Sequence, residues 1–130
     1  MELACEIAKS TAPGSVFCLS GELGAGKTAF AQGFARGLGV DGYVASPTFT
    51  IMNIYSGRIP LYHFDAYRMA DADEFENTVG SEYFYEDGVC LIEWAELIRE
   101  VIPENAVWIH ILKDLQKDEN YRKILIQGKL

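Results

Sequence analysis

Eight residues near the N-terminus have the types and spacing needed to bind phosphate. The segment GELGAGKT, Gly21–Thr28, matches the pattern G-x-x-x-x-G-K-[ST] in full. Glycine permits backbone conformations closed to other residues, so successive amide N–H groups can point at one anion. Lys27 would place a positive charge against the β- and γ-phosphates, and the Thr28 hydroxyl would be a hard oxygen ligand for Mg²⁺. The predicted nucleotide-binding residues are Glu22, Leu23, Gly24, Ala25, Gly26, Lys27, Thr28 and Ala29.

The elements on both sides of this motif suit a phosphate-binding loop. Val16–Leu19 is a continuous apolar run of strand length, as expected for a strand covered on both faces. Phe30, Phe34 and Leu38 recur at intervals of four, which predicts a helix from Lys27 to about Leu38 that ends at Gly39. A strand before the motif and a helix after it argue against a fortuitous glycine turn.

Two acidic residues at strand ends are candidates for the metal shell and for catalysis. Glu93 directly follows the apolar run Val89–Ile92, where it could order a water in the metal shell or act as base towards the attacking water. Asp65 directly follows Leu61–Phe64 and is a second candidate. A solvated strand-end carboxylate for Glu93 and a turn-forming Asp65 remain open alternatives. The predicted metal ligands are Thr28, Asp65 and Glu93.

Three further residues carry hypotheses of different kinds. Thr48 lies in the loop Ser46–Phe49 between the motif's helix and the next strand, where a Thr could sense the γ-phosphate, although a plain turn is favoured on pattern alone. His63 and His110 lie in strand patterns, and no nucleophile is close to either in sequence. We therefore interpret both histidines as core or interface residues.

The remaining segments predict a single domain over 1–130, an α/β fold with helices on the faces of a mixed central sheet. After the strand–loop–helix opening we expect mostly antiparallel pieces. Pro60 cannot donate a ladder hydrogen bond, which places it at a strand start or a sheet edge. The predicted pieces are a hairpin of Phe49–Tyr55 and Ile59–Asp65, a loop with short helices over Asp71–Tyr85, a short helix over Ala95–Val101, and strands at Val107–Leu112 and Ile124–Ile126.

Composition restricts the class of protein. The 130 residues are 49% hydrophobic and 23% charged, with no apolar run long enough to span a bilayer and no signal-peptide pattern at the start. A cytoplasmic protein is expected. Cys5, Cys18 and Cys90 are odd in number and widely spaced, which indicates free, reduced thiols. The net charge of −8 argues against the binding of nucleic acid by this chain alone.

Four segments together resemble a known family. GELGAGKTAFAQGFARGLG, SPTFTIMNIY, LYHFDAYR and GVCLIEWAE follow the order and spacing of the bacterial TsaE (YjeE) family, over roughly Val16–Pro103. The resemblance implies a P-loop α/β/α domain with a mixed central sheet that binds ATP or ADP with Mg²⁺ and hydrolyses ATP slowly alone. It also implies a role in tRNA N6-threonylcarbamoyladenosine (t6A37) synthesis with TsaD and TsaB. The chain would be monomeric on its own and would meet tRNA only through TsaD.

The resemblance also implies roles for individual residues. Lys27 and Thr28 would bind phosphate and Mg²⁺, and Thr48 would lie in a switch-like loop. Asp65 and Glu93 would lie near the metal and the attacking water, and Trp94 near the nucleotide or a partner surface.

Three other classes of protein fit the sequence less well. A small-molecule P-loop kinase should close an arginine-bearing lid over the phosphoryl group, but the arginines are few and the later half of the chain is acidic. A regulatory GTPase should show an N-K-x-D-like element, and no such tetrapeptide occurs. An interaction module with a degenerate loop is opposed by the intact Lys27-Thr28 pair.

Overall fold

The computed structural model describes residues 2–21, 26–41, 52–66, 87–113 and 122–128. The predicted loop with short helices at Asp71–Tyr85 lies outside these residues. The described elements, in chain order, are α1 (Glu2–Lys9), β1 (Val16–Gly21), α2 (Lys27–Gly37), β2 (Met52–Tyr55), β3 (Leu61–Asp65), β4 (Val89–Glu93), a 3₁₀ helix (Ala95–Val101), β5 (Val107–Lys113) and β6 (Arg122–Gln127).

The six strands form one mixed sheet in the order β2-β3-β4-β1-β5-β6. β1 is parallel to both of its neighbours, β4 and β5, and β3 is parallel to β4. Only the outer pairs, β2–β3 and β5–β6, are antiparallel. The predicted mixed sheet is confirmed, but the expectation of mostly antiparallel strands is wrong. Continuous apolar strands such as β1 and β4 are typical of parallel strands covered on both faces.

Alternation along the strands assigns side chains to two apolar layers. Phe17 and Leu19 of β1 pack with Phe30 and Phe34 of α2, and the rings of Phe17 and Phe34 lie 5.1 Å apart. On the opposite face Cys18 packs in the layer that contains the 3₁₀ helix. Helices therefore cover both faces of the sheet, which confirms the α/β fold with three layers.

The hairpin of β2 and β3 is confirmed, and its turn is tied to both α-helices. The Arg58 guanidinium donates through Nη2 to the carbonyl oxygens of Ala8, at 2.6 Å, and Thr11, at 2.8 Å. Its backbone N–H donates to the Leu38 carbonyl at 2.8 Å. Pro60 directly precedes β3, the strand-start position predicted for it. One arginine thus links the hairpin to the C-terminal ends of α1 and α2.

The cysteines agree with the expectation of free thiols. Cys18 and Cys90 are buried, Cys5 is partly exposed, and none of these three described cysteines is in a disulfide. Burial raises the pKa of each buried thiol, Cys18 and Cys90, to about 12, so both stay protonated at neutral pH. Within the part of the chain that the structure describes, no helix is both long and apolar enough to cross a membrane.

Candidate functional site

The predicted phosphate-binding loop connects β1 to α2, and glycines occupy both of its described ends. Gly21 has φ 147° and Gly26 has φ 112°, backbone conformations that side chains with a Cβ rarely adopt. The loop residues between them, Glu22, Leu23, Gly24 and Ala25, lie outside the described residues, so their predicted roles stay predictions. The positive φ values explain why the motif requires glycine at its first and sixth positions.

The N-terminus of α2 is suited to an anion. Gly26 is the N-cap and offers no side-chain hydrogen bond, and no acidic residue occupies the first turn. The first three helical residues are Lys27, Thr28 and Ala29, and the amide of Phe30 donates to the Gly26 carbonyl at 2.9 Å. In an α-helix the amides of the first turn point out of the N-terminal end. Amides at a helix N-terminus, together with the helix dipole, favour a phosphate group there.

Lys27 is buried beside the candidate carboxylates. Its side chain is folded in so far that the residue is 6% exposed, and Nζ donates to the Gly21 carbonyl at 2.9 Å. Burial lowers the pKa of Lys27, while the nearby charges of Glu93, Glu96 and Asp65 raise it. An ammonium group that has lost much of its water gains more from a phosphate than a solvated one does.

Asp65 and Glu93 end adjacent parallel strands and are register partners. Both continue the row of side chains that faces α2, because Leu61 and Leu91 on the same strands pack in that layer. Glu93 is buried and Asp65 is half-buried. The structure therefore brings the two predicted carboxylates to one edge of the sheet. Both lie close enough to Lys27 to raise its pKa.

The donor set at this edge fits Mg²⁺ better than a metal held entirely by protein. Among the residues that the structure describes, no group of three or more His, Cys, Asp or Glu residues could hold a metal ion. Mg²⁺ usually takes one or two carboxylates and completes its shell with water and substrate phosphates. Thr28, exposed in the first turn of α2, would add a hydroxyl oxygen to Asp65 and Glu93. Thr48 lies outside the described residues.

Trp94 changes the chain direction directly after Glu93. It has φ 60°, a left-handed conformation that is uncommon for a bulky residue, and the 3₁₀ helix begins at the next residue. The indole lies against Lys27, with Nζ 3.4 Å from the ring centroid. Such a contact between a cation and an aromatic face is attractive. Trp94 therefore contacts the lysine of the candidate site instead of continuing the strand.

The sequence predicted that His63 is a core or interface residue, but it did not predict the contact of His63 with the candidate site. The residue is fully buried, as a core residue should be, but its Nε2 lies 2.7 Å from Oε2 of Glu93. A signal was present in the sequence, because alternation puts His63 and Asp65 on one face of the same strand. His110 contacts Ser20 on the neighbouring strand and stacks on Trp108, which agrees with its interpretation as a core or interface residue.

Comparison with known proteins gives a consistent result. The family described as "Threonylcarbamoyl adenosine biosynthesis protein TsaE" matches residues 1–124. A tRNA threonylcarbamoyladenosine biosynthesis protein TsaE from Bacillus subtilis is 52% identical over 118 residues, 87% of this chain and 73% of that protein. The protein of the same name from Aquifex aeolicus is 39% identical over 131 residues, 98% of this chain and 88% of its own.

A solved structure agrees with the sequence relatives. The crystal structure of Bacillus subtilis YdiB superposes with a TM-score of 0.75 at 43% identity, covering 94% of this chain and 73% of that one. The family match spans most of the chain, and several relatives exceed 30% identity over most of both lengths. The chain belongs to the TsaE family of threonylcarbamoyl adenosine biosynthesis proteins.

Proposed function

We propose that this chain is a Mg²⁺-dependent ATPase of low intrinsic rate that supports t6A37 synthesis together with TsaD and TsaB in the cytoplasm. Membership in the TsaE family supports the pathway. The nucleotide chemistry is supported chiefly by one observation, the buried Lys27 at the start of α2, where the N-cap Gly26 has no side chain, next to two strand-end carboxylates. tRNA would be met through TsaD, in keeping with the chain's net charge of −8.

Different residues would bind the phosphates, hold the metal and sense the γ-phosphate. The amides at the start of α2 and the Lys27 ammonium would bind and orient the phosphates, as in other P-loop proteins. Thr28 and Asp65, with Glu93, would hold Mg²⁺. The chemistry that Mg²⁺ supplies when bound is neutralisation of charge on the phosphate oxygens. Thr48 would sense the γ-phosphate.

Glu93 is the residue that we assign to the attacking water. The water oxygen forms a bond to the γ-phosphorus while the bond to the bridging oxygen of ADP breaks, and the water proton passes to the Glu93 carboxylate or, through it, to phosphate. Glu93 is 4% exposed, so few competing waters reach its carboxylate. Replacing Glu93 by Ala should leave nucleotide binding intact and abolish hydrolysis.

The assignment of Lys27 is tested by comparing two lysine variants. In Lys27→Ala, kcat/KM for ATP should fall roughly 100-fold or more, because a preorganised charge on the phosphates is lost. Lys9→Ala is the matched control, since Lys9 is exposed on α1 and its ion pair is with Glu6 of the same helix. Phosphate release measures the turnover of each variant, and calorimetry measures its affinity for ADP.

Two results would count against the proposal. Equal turnover of Lys27→Ala and the control would mean that the nucleotide site lies elsewhere. Fast hydrolysis by the isolated wild-type chain, with no response to added TsaB and TsaD, would favour a free-standing enzyme such as a small-molecule kinase. The expected result is slow turnover alone and a large increase with the partners.

A further inference from the structure

His63 lies beneath the candidate catalytic carboxylate in a place where an apolar residue would be expected. It is on β3, in the row that includes Leu61, and its register partner on β4 is Leu91. The imidazole is 0% exposed. Burying a polar ring costs free energy unless its hydrogen bonds are remade inside the protein. The reason for a histidine here must therefore be sought in what the ring contacts.

Among the residues that the structure describes, the ring makes one of its two possible hydrogen bonds. Nε2 lies 2.7 Å from Oε2 of Glu93, and both side chains are buried. Nδ1 is buried and has no hydrogen-bond partner among the described residues. A residue kept for stability alone would do better as Leu or Phe, since an unsatisfied buried polar atom costs about 1–3 kcal/mol. The single contact with Glu93 is therefore the feature to explain.

The contact fixes the direction of the hydrogen bond. A carboxylate is an acceptor, so the neighbouring Nε2 carries the proton and donates it, and Nδ1 is then the nitrogen without a proton in the neutral ring. A donor held by a rigid strand restricts the rotation of the carboxylate that it contacts. Hydrogen bonds from neighbouring side chains orient the ligating and catalytic groups of other protein sites in a similar way.

We propose that His63 is a positioning residue for Glu93, a step that rests on the proposed ATPase function. Its Nε2–H donates to Oε2 of Glu93 and so holds the carboxylate in the orientation that it needs to act on the attacking water. His63 itself touches neither nucleotide nor water. It acts only through the orientation of Glu93.

A competing partner explains why the orientation has to be held. The Glu93 charge raises the pKa of Lys27, so the carboxylate and the ammonium are close enough to attract each other. In the structure each has a different partner: Glu93 has His63, and Lys27 has the Gly21 carbonyl and the Trp94 ring. Without the imidazole, Glu93 would lose the contact that opposes its attraction to Lys27. In such an ion pair Lys27 would no longer bind the phosphates, and Glu93 would no longer orient the attacking water.

The first test compares two substitutions of similar volume. His63→Leu fills the space without a donor, and His63→Gln keeps an amide N–H near the position of Nε2. In His63→Leu we expect kcat to fall by about 10- to 100-fold, the usual range for groups that orient a catalytic ligand. The dissociation constant for ADP should change by less than about twofold, because the phosphate-binding amides and Lys27 are untouched. His63→Gln should recover most of the lost rate.

A second test asks whether His63 acts through Glu93. If it does, His63→Leu should have no further effect on the residual rate of a Glu93→Gln variant, so the two changes will not add. Additive losses would overturn the proposal. An unchanged kcat in His63→Leu would overturn it too, and so would parallel losses of ADP affinity and rate in both His63 variants.

A spectroscopic test does not depend on catalysis. The chain has two histidines, so long-range ¹H–¹⁵N spectra can assign each ring. His63 should be the Nε2–H tautomer, with a downfield proton that shifts on Glu93→Gln. An Nδ1–H tautomer would contradict the proposal even if both Leu and Gln variants failed to fold. Failure of the proposed function would be recognised separately, as absent hydrolysis by the wild-type chain with TsaB and TsaD.

Discussion

At the scale of single residues, the pKa of Lys27 depends on burial and on neighbouring carboxylates, which act in opposite directions. Burial lowers the pKa of Lys27, and three carboxylates oppose that effect. The Trp94 ring and the Gly21 carbonyl contact the ammonium directly. A bound phosphate would offer the ammonium a full negative charge in place of a ring face and a neutral carbonyl, so Nζ should move towards it.

This movement predicts a fluorescence signal. When ADP binds, Lys27 should leave the Trp94 ring, and the emission of Trp94 should change with the occupancy of the site. The chain has two tryptophans, so Trp108→Phe gives a protein that reports Trp94 alone. Titration with ADP should then yield the dissociation constant found by calorimetry.

The control for this signal is Trp94→Phe, which leaves Trp108 as the reporter. Trp108 lies under Arg99, with the guanidinium carbon 4.3 Å from its ring centroid, and not under Lys27. Its emission should respond little to ADP. A nucleotide response that persists in Trp94→Phe and vanishes in Trp108→Phe would contradict the predicted movement.

The residues that sequence reasoning found and missed differ in the range of their interactions. Lys27 and Thr28 belong to a motif whose chemistry is complete within eight residues, so residue type and spacing are enough to make them candidates. The contact between His63 and Glu93 joins residues 30 apart, on strands whose adjacency no local pattern specifies. The Trp94 contact depends on a left-handed turn that its neighbours in sequence do not indicate.

At the scale of elements, hydrophobic periodicity predicted the described strands and α2 to within about two residues at most ends, whereas strand direction did not follow from it. The predicted end of α2 at Gly39 agrees with the observed turn there, where Gly39 has φ 82°. An apolar run such as β4 is typical of a strand covered on both faces, but it does not specify which strands become its neighbours. Direction is decided by which strands meet after folding, here β4 and β5 on either side of β1. Such pairing is a property of long-range contacts.

The turn of the β2–β3 hairpin carries a testable contribution to stability. In Arg58→Ala, the carbonyl oxygens of Ala8 and Thr11 lose a charged donor at the end of α1. Because Arg58 is partly solvent-exposed, we expect the free energy of unfolding to fall by about 1–2 kcal/mol, towards the lower part of the range for hydrogen bonds to charged groups. Urea denaturation followed by circular dichroism measures this change.

Arg36→Ala is the matched control for Arg58→Ala. Arg36 is exposed in the last turn of α2, and replacing an exposed helical residue by Ala usually changes stability by less than about 0.5 kcal/mol. The two variants remove the same charge from nearby helix ends. Equal losses of stability would mean that the net charge, and not the capping of α1 by Arg58, is what matters.

At the scale of the whole molecule, the balance of charge sets the kind of partner that the chain can hold alone. The chain has 11 Lys and Arg against 19 Asp and Glu. Affinity for nucleic acid comes mainly from basic groups that neutralise phosphates and release counterions. The most buried cation of the candidate site, Lys27, is already engaged inside the protein. A chain of this kind should act on tRNA modification from a distance, through proteins that bind the tRNA.

We therefore expect no binding of tRNA by the isolated chain at an ionic strength of about 0.15 M, because its excess of acidic groups repels phosphates that come within a Debye length of about 8 Å. Fluorescence anisotropy of labelled tRNA should stay flat when the chain is added alone, and should rise when TsaB and TsaD are present. A basic tRNA-binding protein serves as the positive control for the label. If the isolated chain bound tRNA with an affinity that fell steeply with added salt, a local basic surface would have to outweigh the net charge, and the indirect route to tRNA would be wrong.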